Sequence, residues 1–600
     1  MRRVHAPIED YALIGDCHTA ALVSRSGSID WLCLPRFDSP AVFSALLGTE
    51  EHGRWLLAPA GEVRSVQRSY VGDSFVLSTR YEVDGGSVEV VDAMPLRDRR
   101  ADVIRRVRGV SGTVRMRQEY VVRFGYGDVL PWVLRVPEEE RALLACAGPD
   151  AVLLRTDVPL PRPQGNRHVG EFDVRAGEVV DLVMTWYPSH RPAPPPLDRD
   201  RRLAETVRWW QDWADRREDG GPFAAAVARS LLVLRALTHE DTGGIVAAAT
   251  TSLPEEPGGV RNWDYRYCWL RDAALTLETL ISHGYSEEAR EWRDWLLRAV
   301  AGDPEDVQIM YGVAGERHLP ERELGHLPGY EGSRPVRVGN GAFTQYQADV
   351  IGEVLVALDA ARRDGIAEDP FSWPLQRALL DFVERNWDRA DSGIWEMRGP
   401  EQHFTHSRVM VWAALDRGVR AVRSFGLDGP VDRWQALRDR VRDEVLQRGV
   451  DPQRGCFTQR YGSREVDASL LVLPQVGFVA PDDPVMLATV RAIEEDLLQD
   501  GLVLRYRTHA APDGLPPGEH PFLACSFWLA EQYALSGRVE DARALLERLV
   551  SLCNDVGLLS EEYDTTARRQ LGNTPQALSH LALVRAVQAL RCADPQRLLR

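Results

Sequence analysis

The sequence predicts an N-terminal antiparallel β-sandwich followed by a C-terminal (α/α)6 barrel. Short runs of β-branched and aromatic residues, separated by turn residues, come first and end at the proline-rich stretch YPSHRPAPPPLDRD (187–200). After it, apolar residues recur at three- and four-residue spacing, which is typical of amphipathic helices. These observations predict a β-sandwich domain at 1–198, a linker helix at 199–221 and a barrel domain at 222–600.

Two hairpins are predicted within the β-sandwich. FVLSTRYEV and SVEVVDAM, joined by DGG, form the first across residues 75–94. VIRRVRGV at 103–110 and TVRMRQEYVVRF at 113–124 form the second. Both have β-rich runs on either side of a break that contains glycine. Successive hairpins favour two antiparallel sheets packed face to face.

Twelve helices are predicted after the linker helix. Their ranges are 223–239, 269–284, 286–301, 343–364, 370–388, 407–425, 430–449, 466–476, 484–499, 521–536, 538–553 and 574–592. Twelve helices joined by alternating short and long loops can form six helical hairpins, which is the arrangement of an (α/α)6 barrel. The long loops then meet at one end, where we expect the functional residues.

Composition and charge exclude several classes of function. A chain of 600 residues exceeds what one hydrophobic core usually organises, so two domains are expected. The net charge of -17 disfavours nucleic acids and anionic membranes as partners and favours a small neutral substrate. All 72 basic residues are arginine, which excludes a Walker-type lysine, a pyridoxal Schiff base and a Ser-Lys dyad.

Neither a cofactor nor a metal is expected. The eight cysteines are dispersed without a CxxC pair, which indicates reduced thiols rather than a zinc site. His403 and His406 have HxxH spacing, but no third ligand is evident, so a structural role is predicted. Without an apolar leader or an apolar run of roughly 18 residues, a cytoplasmic protein is expected. Homo-oligomerisation is left open.

Two glutamates in aromatic-flanked motifs carry the predicted chemistry. Glu396 lies in GIWEMRGPEQHF (393–404), and Glu561 lies in LLSEEYD (558–564). Hydrolysis of a glycosidic bond requires one carboxyl group that protonates the leaving oxygen and another that activates water. Glu562 competes with Glu561, but neighbours on an extended segment point to opposite sides, so one of the two should face the water.

At these residues the chain resembles glycoside hydrolase family 15, the glucoamylase and trehalase family. GIWE resembles the family's general-acid segment, SEEYD its general-base segment, and RNWDYRYCWLRD (261–272) its tyrosine-rich WxRD segment. Other matching stretches follow in the family's order: RPVRVGNGAFTQYQ (334–347), DGLVLRYR (500–507) and FLACSFWLAEQ (522–532). The resemblance assigns the general acid to Glu396 and the general base to Glu561.

The resemblance extends to YALIGDCHTAALVSRSGSIDWLCLPRFDSP (11–40), so it covers essentially the whole chain. Among subgroups the chain is most similar to actinobacterial trehalase-like members, through QIMYGVAGERHLPE (308–321) and QLGNTPQALSHLALV (570–584). The resemblance implies the same β-sandwich and (α/α)6 barrel, no cofactor, and substrate-binding residues around the nonreducing glucose. These are Tyr265, near the attacking water, Trp269, Arg271, Asp272, Arg505 and Glu562. Trp395 fits either core packing or a sugar platform.

Two positions depart from the family's pattern. Fungal glucoamylases place a second glutamate directly after the acid, whereas this chain has Met397. Many bacterial relatives have a glycine after the glutamate that precedes the FLxCSFW segment, whereas this chain has Glu519-His520-Pro521. The first departure puts a starch-type contact on the leaving-group side in doubt.

The expected activity is hydrolysis with inversion at a terminal α-linked glucose. Trehalose is the favoured substrate, and the alternatives are glucoamylase activity or hydrolysis of isomaltose or maltooligosaccharides. Two further alternatives are a disaccharide phosphorylase on a similar barrel and a noncatalytic glucan-binding protein. The retained base motif disfavours the phosphorylase, and the presence of both carboxylates disfavours the binding protein.

Overall fold

The computed structural model describes residues 5–96, 100–217, 221–366, 370–508 and 513–594, without the side chains of 273 and 274. Fifteen antiparallel strands form its N-terminal part. They are β1 (Tyr11–Gly15), β2 (Ala20–Ser24), β3 (Ser28–Cys33), β4 (Ala41–Phe43), β5 (Arg54–Pro59), β6 (Val63–Tyr70), β7 (Leu77–Val83), β8 (Gly86–Ala93), β9 (Ala101–Val121), β10 (Trp132–Arg135), β11 (Ala142–Ala147), β12 (Asp150–Thr156), β13 (Arg162–Gln164), β14 (Arg167–Arg175) and β15 (Val179–Pro188).

The strands form two sheets that share the long strand β9. Its first half pairs with β8 and β15, and its second half pairs with β5 and β14. β1, β2 and β3 continue the sheet that contains β5, while β12, β11 and β10 continue the sheet that contains β15. The predicted antiparallel β-sandwich is therefore confirmed.

The two predicted hairpins have different outcomes. The hairpin at 75–94 is confirmed as β7 and β8, with Tyr81 opposite Val88. The hairpin at 103–124 is wrong, because both of its predicted arms belong to β9. Gly112 has φ of +62°, and a Cβ there would lie 2.0 Å from the carbonyl oxygen of Gly85. Gly112 thus lets β9 approach β8 closely, near the register shift between Ser87 and Val88. The chain continues in the same direction there and makes no turn.

The helices of the C-terminal part follow the predicted order. They are α1 (Arg199–Ala214), α2 (Ala224–Ala236), α3 (Ala273–Ser282), α4 (Ser286–Val300), α5 (Asp349–Arg363), α6 (Ser372–Asn386), α7 (Thr405–Phe425), α8 (Val431–Arg448), α9 (Pro484–Leu497), α10 (Leu523–Leu535), α11 (Val539–Val550) and α12 (Ala577–Ala593). The linker helix corresponds to α1, and residues 218–220 of its predicted range lie outside the described residues. The domain boundaries at 198 and 221 stay a prediction.

An inner ring of six segments closes on itself, as an (α/α)6 barrel requires. Its members, in order of contact, are α3, α5, α7, a 3-10 helix at Ala468–Val472, α10 and α12, which contacts α3. The remaining helices after α1 pack outside this ring. The predicted α-helix at 466–476 is wrong, because Pro474 has no N–H for a continuing helix and turns follow Val472. The predicted helix start at 269 lies instead in a two-residue strand, Cys268–Trp269, and the predicted start at 343 lies in a 3-10 helix, Gly341–Thr344.

The β-sandwich holds the segment that leads into α3. Arg266 is fully buried and forms an ion pair with Asp264. Its guanidinium also donates to the carbonyl oxygen of Ser39 at 2.9 Å and to Tyr126 Oη at 3.0 Å, both in the β-sandwich. A buried guanidinium needs such partners, since an unpaired buried charge is costly. The β-sandwich and the barrel are therefore joined by hydrogen bonds of Arg266, the residue that follows Tyr265.

All eight cysteines are unpaired thiols, and five of them are buried. Across the described ranges, no helix has the length and apolar character needed to cross a membrane. The same ranges contain no group of three His, Cys, Asp or Glu side chains placed to hold a metal ion.

Candidate active site

Residues of several sequence motifs line a pocket at one end of the barrel, whereas Glu561 is not part of the lining and contacts its wall residue Tyr265. Its walls come from the loops before α3, α7 and α10, with Leu578 of α12 beside them. These loops precede inner-ring helices, so the barrel carries them to the same end. Several residues singled out from the sequence line this pocket: Tyr265, Arg271, Trp395, Glu396 and Arg505.

Glu396 is presented by a tight turn before α7. Its backbone is left-handed, with φ of +56°, which is uncommon for a residue other than glycine and accompanies functional sites. Trp269 Nε1 donates to Glu396 Oε1 at 2.7 Å, and an Arg271 nitrogen lies 3.8 Å from the same oxygen. Burial raises the pKa of Glu396, whereas Arg271 and Trp269 oppose this shift. The raised pKa favours the protonated form that a general acid needs.

Glu561 is buried beside Tyr265, which lies in the same loop segment as Trp269. Its side chain is held by two donors, Tyr265 Oη at 2.5 Å from Oε1 and the Asn573 N–H at 3.3 Å from Oε2. Burial and the nearby Glu255 raise the pKa of Glu561. The two donors oppose the shift, because hydrogen bonds to a carboxylate stabilise its ionised form. Glu561 can therefore accept a proton readily once it is ionised.

Tyr265 and Trp269 connect the two carboxyl groups. Their rings meet edge to face with centroids 5.4 Å apart, and each donates to one glutamate. Backbone pairing fixes the segment between them, since Cys268–Trp269 pairs with Met310–Tyr311. One short segment thus positions a carboxyl group from the loop before α7 and another from the loop before α12.

Glu562 turns toward Arg505 instead of Tyr265. Arg505 donates to Glu562 at 3.3 Å, to Glu255 at 2.7 Å and to Glu519 at 2.6 Å, while the His520 N–H donates to Glu562 at 3.0 Å. Burial and the nearby Glu255 raise the pKa of Glu562 well above its usual range, whereas Arg505 opposes the shift.

Sequence reasoning missed the roles of Glu255 and Glu519 as partners of Arg505. In the sequence, Glu519 is marked only by His520, which follows it where many bacterial relatives have glycine. The His520 backbone N–H donates to Glu562, and a glycine at this position would have the same N–H. The three carboxylates come from separate segments, so no local spacing indicates that they surround one arginine.

Arg271 and Asp272 lie at the start of α3. Arg271 donates to Asp272 Oδ1 at 3.1 Å and to the carbonyl oxygen of Ile394 at 3.2 Å. Arg271 lines the pocket, and Asp272 lines a second chamber that also contains Arg271 and Ile394. Both side chains are partly buried, so their charged groups face the pockets with little competing solvent.

Trp395 packs against neighbouring aromatic rings and also lines the pocket, and its role as a sugar platform stays a prediction. Its indole donates to Asp467 Oδ2 at 3.0 Å and packs near Phe522 and Trp528, with ring centroids 6.2 and 6.0 Å away. The same side chain lines the pocket. Met397 is buried and packs in the cluster that contains Trp395, so it adds an apolar contact where fungal relatives have a second glutamate.

The remaining pocket wall is rich in charge. Trp263 has the guanidinium groups of Arg337 and Arg398 over its ring, at 4.6 and 4.3 Å from the centroid. Arg261 and Asp513, both almost fully buried, form an ion pair at 2.5 Å. This wall therefore offers hydrogen-bond donors and acceptors to a ligand and does not present an open aromatic ring face.

A pair of carboxyl groups and an arginine-lined pocket at the loop end of an (α/α)6 barrel define a glycoside hydrolase. The family model "Glycosyl hydrolases family 15" matches residues 221–588, and the model "Trehalase-like, N-terminal" matches residues 2–157. The chain belongs to glycoside hydrolase family 15.

Two sequence relatives of the chain are consistent with this assignment, and one solved structure shows the same fold. It is 38% identical to a trehalase from Mycobacterium tuberculosis, over 98% of this chain and 90% of the relative. It is 34% identical to a trehalase from Thermoplasma acidophilum, over 96% of this chain and 99% of the relative. A solved bacterial glucoamylase complexed with acarbose has the same fold, with a TM-score of 0.72 over 99% of this chain and 95% of that chain, at 11% identity.

Proposed function

We propose that this enzyme hydrolyses α,α-trehalose to two glucose molecules with inversion, using Glu396 as general acid and Glu561 as general base. The main support is that two aromatic residues of one segment each donate a hydrogen bond to one of the carboxyl groups. Trp269 donates to Glu396, and Tyr265 donates to Glu561. The two glutamates come from different loops, so this arrangement supports action from two sides of one bond.

In this mechanism Glu561 removes a proton from a water molecule whose oxygen attacks the anomeric carbon. Glu396 gives its proton to the glycosidic oxygen as the bond to that oxygen breaks. Arg271 and Asp272 bind hydroxyl groups of the nonreducing glucose, because guanidinium and carboxylate groups supply complementary donors and acceptors. The products are one β-glucose from the attacked ring and one α-glucose from the leaving ring, and a proton returns from Glu561 to Glu396 through solvent before the next turnover.

Trehalose is supported as the substrate by the relatives and by the pocket wall. The relatives that match almost the whole chain are trehalases. The ring of Trp263 carries two guanidinium groups, so it does not serve as a stacking surface for a longer glucan. Arg261, Asp513 and Arg398 instead provide charged groups suited to the hydroxyls of one leaving glucose.

The test is a comparison of purified enzyme on trehalose, isomaltose and maltooligosaccharides from two to seven glucose units, with released glucose as the readout. We expect the highest kcat/KM for trehalose and little gain with chain length, because a closed leaving-group site offers no further subsites. Glu396→Gln protein controls for contaminating hydrolases. A steady rise of kcat/KM with glucan length and intact trehalose would identify a glucoamylase instead.

We also propose that the enzyme acts in the cytoplasm. The support is chemical: eight cysteines form no disulfide, which fits a reducing compartment. Fractionation of the producing cells, with trehalose hydrolysis as the readout, tests this. Activity found chiefly outside the cells would contradict it.

A further inference from the structure

A cleft of about 640 Å3, here called the linker cleft, lies beside the linker helix α1. Within the part of the chain that the structure describes, it shares no lining residue with the catalytic pocket. Its walls come from α1, the end of α2, the first half of α4, and Leu96 of the β-sandwich. The cleft therefore lies where the two domains and the linker helix meet. Such junctions are common positions for small-ligand sites of ~300–1,000 Å3.

Two tryptophans of α1 lie at the cleft. Trp209 and Trp213 are four residues apart, so they share one face of the helix. The guanidinium of Arg235 lies over the Trp209 ring, 5.1 Å from the ring centroid. Trp213 Nε1 donates to Glu288 Oε1 at 2.7 Å. One face of α1 thus holds an arginine of α2 and a glutamate of α4 beside the same space.

Arg235 and Glu288 each keep one buried polar atom unbonded among the described residues. Arg235 is 6% exposed, and one of its terminal nitrogens donates to Glu240, whereas its Nε is unbonded. The Glu288 side chain is 10% exposed, and its Oε1 accepts from Trp213 and Arg216, whereas its Oε2 is unbonded. Leaving such atoms unmet is costly, so both are suited to a partner that the chain itself does not supply.

These two atoms narrow the class of that partner. Arg235 Nε–H is a donor and Glu288 Oε2 is an acceptor. An anion matches only the arginine and a cation matches only the glutamate. The six carboxyl and four guanidinium groups of the lining further disfavour an anion. A neutral hydroxyl-bearing ligand matches both atoms, since it accepts from one and donates to the other. The half-buried Trp209 ring adds apolar surface for the C–H groups of a sugar.

We propose that the linker cleft is a second binding site for a neutral sugar. Arg235 Nε donates to one hydroxyl of the bound sugar, and Glu288 Oε2 accepts from another, beside Trp209. The inference goes beyond the proposed function and does not rest on it, because no residue of the proposed mechanism lines the cleft. A sugar bound there contacts α1, α2 and α4 together, so it ties the linker helix to the barrel.

The test is photo-crosslinking of the full-length enzyme with a diazirine derivative of methyl β-glucoside, which has no α-linkage to hydrolyse. Mass spectrometry of the digested protein locates the label, and its yield against probe concentration gives the half-saturation concentration. We expect saturable labelling within residues 202–216 or 287–291 that glucose suppresses and that putrescine and sulfate do not. No saturable labelling there, or suppression by putrescine or sulfate as strong as by glucose, would overturn the proposal.

Glu288→Gln tests the proposed acceptor, because it replaces Oε2 by an amide nitrogen and keeps the side-chain shape. We expect the half-saturation concentration to rise at least tenfold, the effect of losing a hydrogen bond to a charged group. Glu494→Gln is the matched control. Glu494 also accepts from an aromatic side chain and an arginine, Tyr533 and Arg538 at 2.6 Å each, but does not line the cleft. Its half-saturation concentration should stay unchanged.

Equal half-saturation concentrations for Glu288→Gln and the unmodified enzyme would also overturn the proposal. Urea unfolding of both variants shows whether they fold. If Glu288→Gln does not fold, the competition among glucose, putrescine and sulfate on the unmodified enzyme decides. Both readouts are binding measurements at the linker cleft, so they stand whichever α-glucoside the catalytic pocket hydrolyses.

Discussion

Replacing Gly572 by alanine should displace the catalytic base without touching the substrate. Gly572 lies in the strand-to-helix connection before α12, with φ of +73°. A Cβ added there would lie 2.5 Å from Glu561 Oε2 and 2.6 Å from Glu561 Cβ. Because one contact is close to the backbone of Glu561, rotating the carboxylate alone does not relieve the overlap.

The size of the effect follows from these distances. Ordinary van der Waals contact begins at 3.4 Å, so Oε2 must retreat by 3.4 minus 2.5, or about 0.9 Å. Such a shift also strains the hydrogen bonds from Tyr265 and Asn573. Misplacement of a catalytic group by about 1 Å costs roughly a hundredfold in rate, so kcat should fall about a hundredfold. The left-handed backbone adds about 1 kcal/mol of destabilisation.

The assay is steady-state hydrolysis together with urea unfolding of each variant. Gly462→Ala is the control, since Gly462 has φ of +75° and open space where a Cβ would be added. Gly462→Ala should lose about 1 kcal/mol of stability and keep its turnover, whereas Gly572→Ala should lose more stability because of the overlap and should also lose turnover. A folded Gly572→Ala enzyme with more than half of the original kcat would refute the reasoning.

Three further predictions concern the same site. Glu396→Gln and Glu561→Gln should each lower turnover roughly a hundredfold or more. Glu562→Gln should lower turnover less than Glu561→Gln does, because the Glu562 carboxyl group contacts Arg505 and not Tyr265. A larger loss of turnover for Glu562→Gln than for Glu561→Gln would contradict this. Activity requires ionised Glu561, so it falls as pH drops through the pKa of that group. Tyr265→Phe removes a donor, raises this pKa and should move the acid limb of kcat/KM to higher pH, whereas Glu255→Gln removes a negative charge and should move it lower; shifts in the same direction would contradict the assignment. Proton NMR during early turnover of trehalose should show β-glucose and α-glucose in equal amounts, because the attacked ring inverts and the leaving glucose keeps its α configuration; α-glucose alone would exclude inversion.

The resemblance to the family, more than local sequence alone, singled out Glu396 and Glu561, and their catalytic roles stay predictions. Each lies in a short motif with its aromatic neighbours, and the loops before inner-ring helices bring such motifs together whatever their separation in the chain. Glu561 contacts Tyr265 and Glu562 contacts Arg505, as expected for neighbours on an extended segment. The assignment of Glu561 as the base stays a prediction.

The errors arose where local signals allow two structures. A glycine between β-rich runs marks either a turn or a bulge, and only the contact between Gly112 and Gly85 decides in favour of a continuous β9. Apolar spacing at 466–476 indicated a helix, yet Pro474 and the contacts with α10 favour a single 3-10 segment. Long-range partners, such as Glu255 for Arg505, are set by tertiary packing alone.

The contact of Arg266 with Ser39 and Tyr126 has a consequence for biosynthesis. The β-sandwich is synthesised before the segment that contains Arg266, so it can fold first. The acceptors on Ser39 and Tyr126 are then in place when Arg266 is synthesised. Separate expression of the barrel would leave this guanidinium without two of its acceptors, one residue from Tyr265. The N-terminal domain therefore supplies two of the acceptors that hold the loop beside Tyr265, and exchanging it between relatives should fail unless the residues that accept from Arg266 are transferred with it.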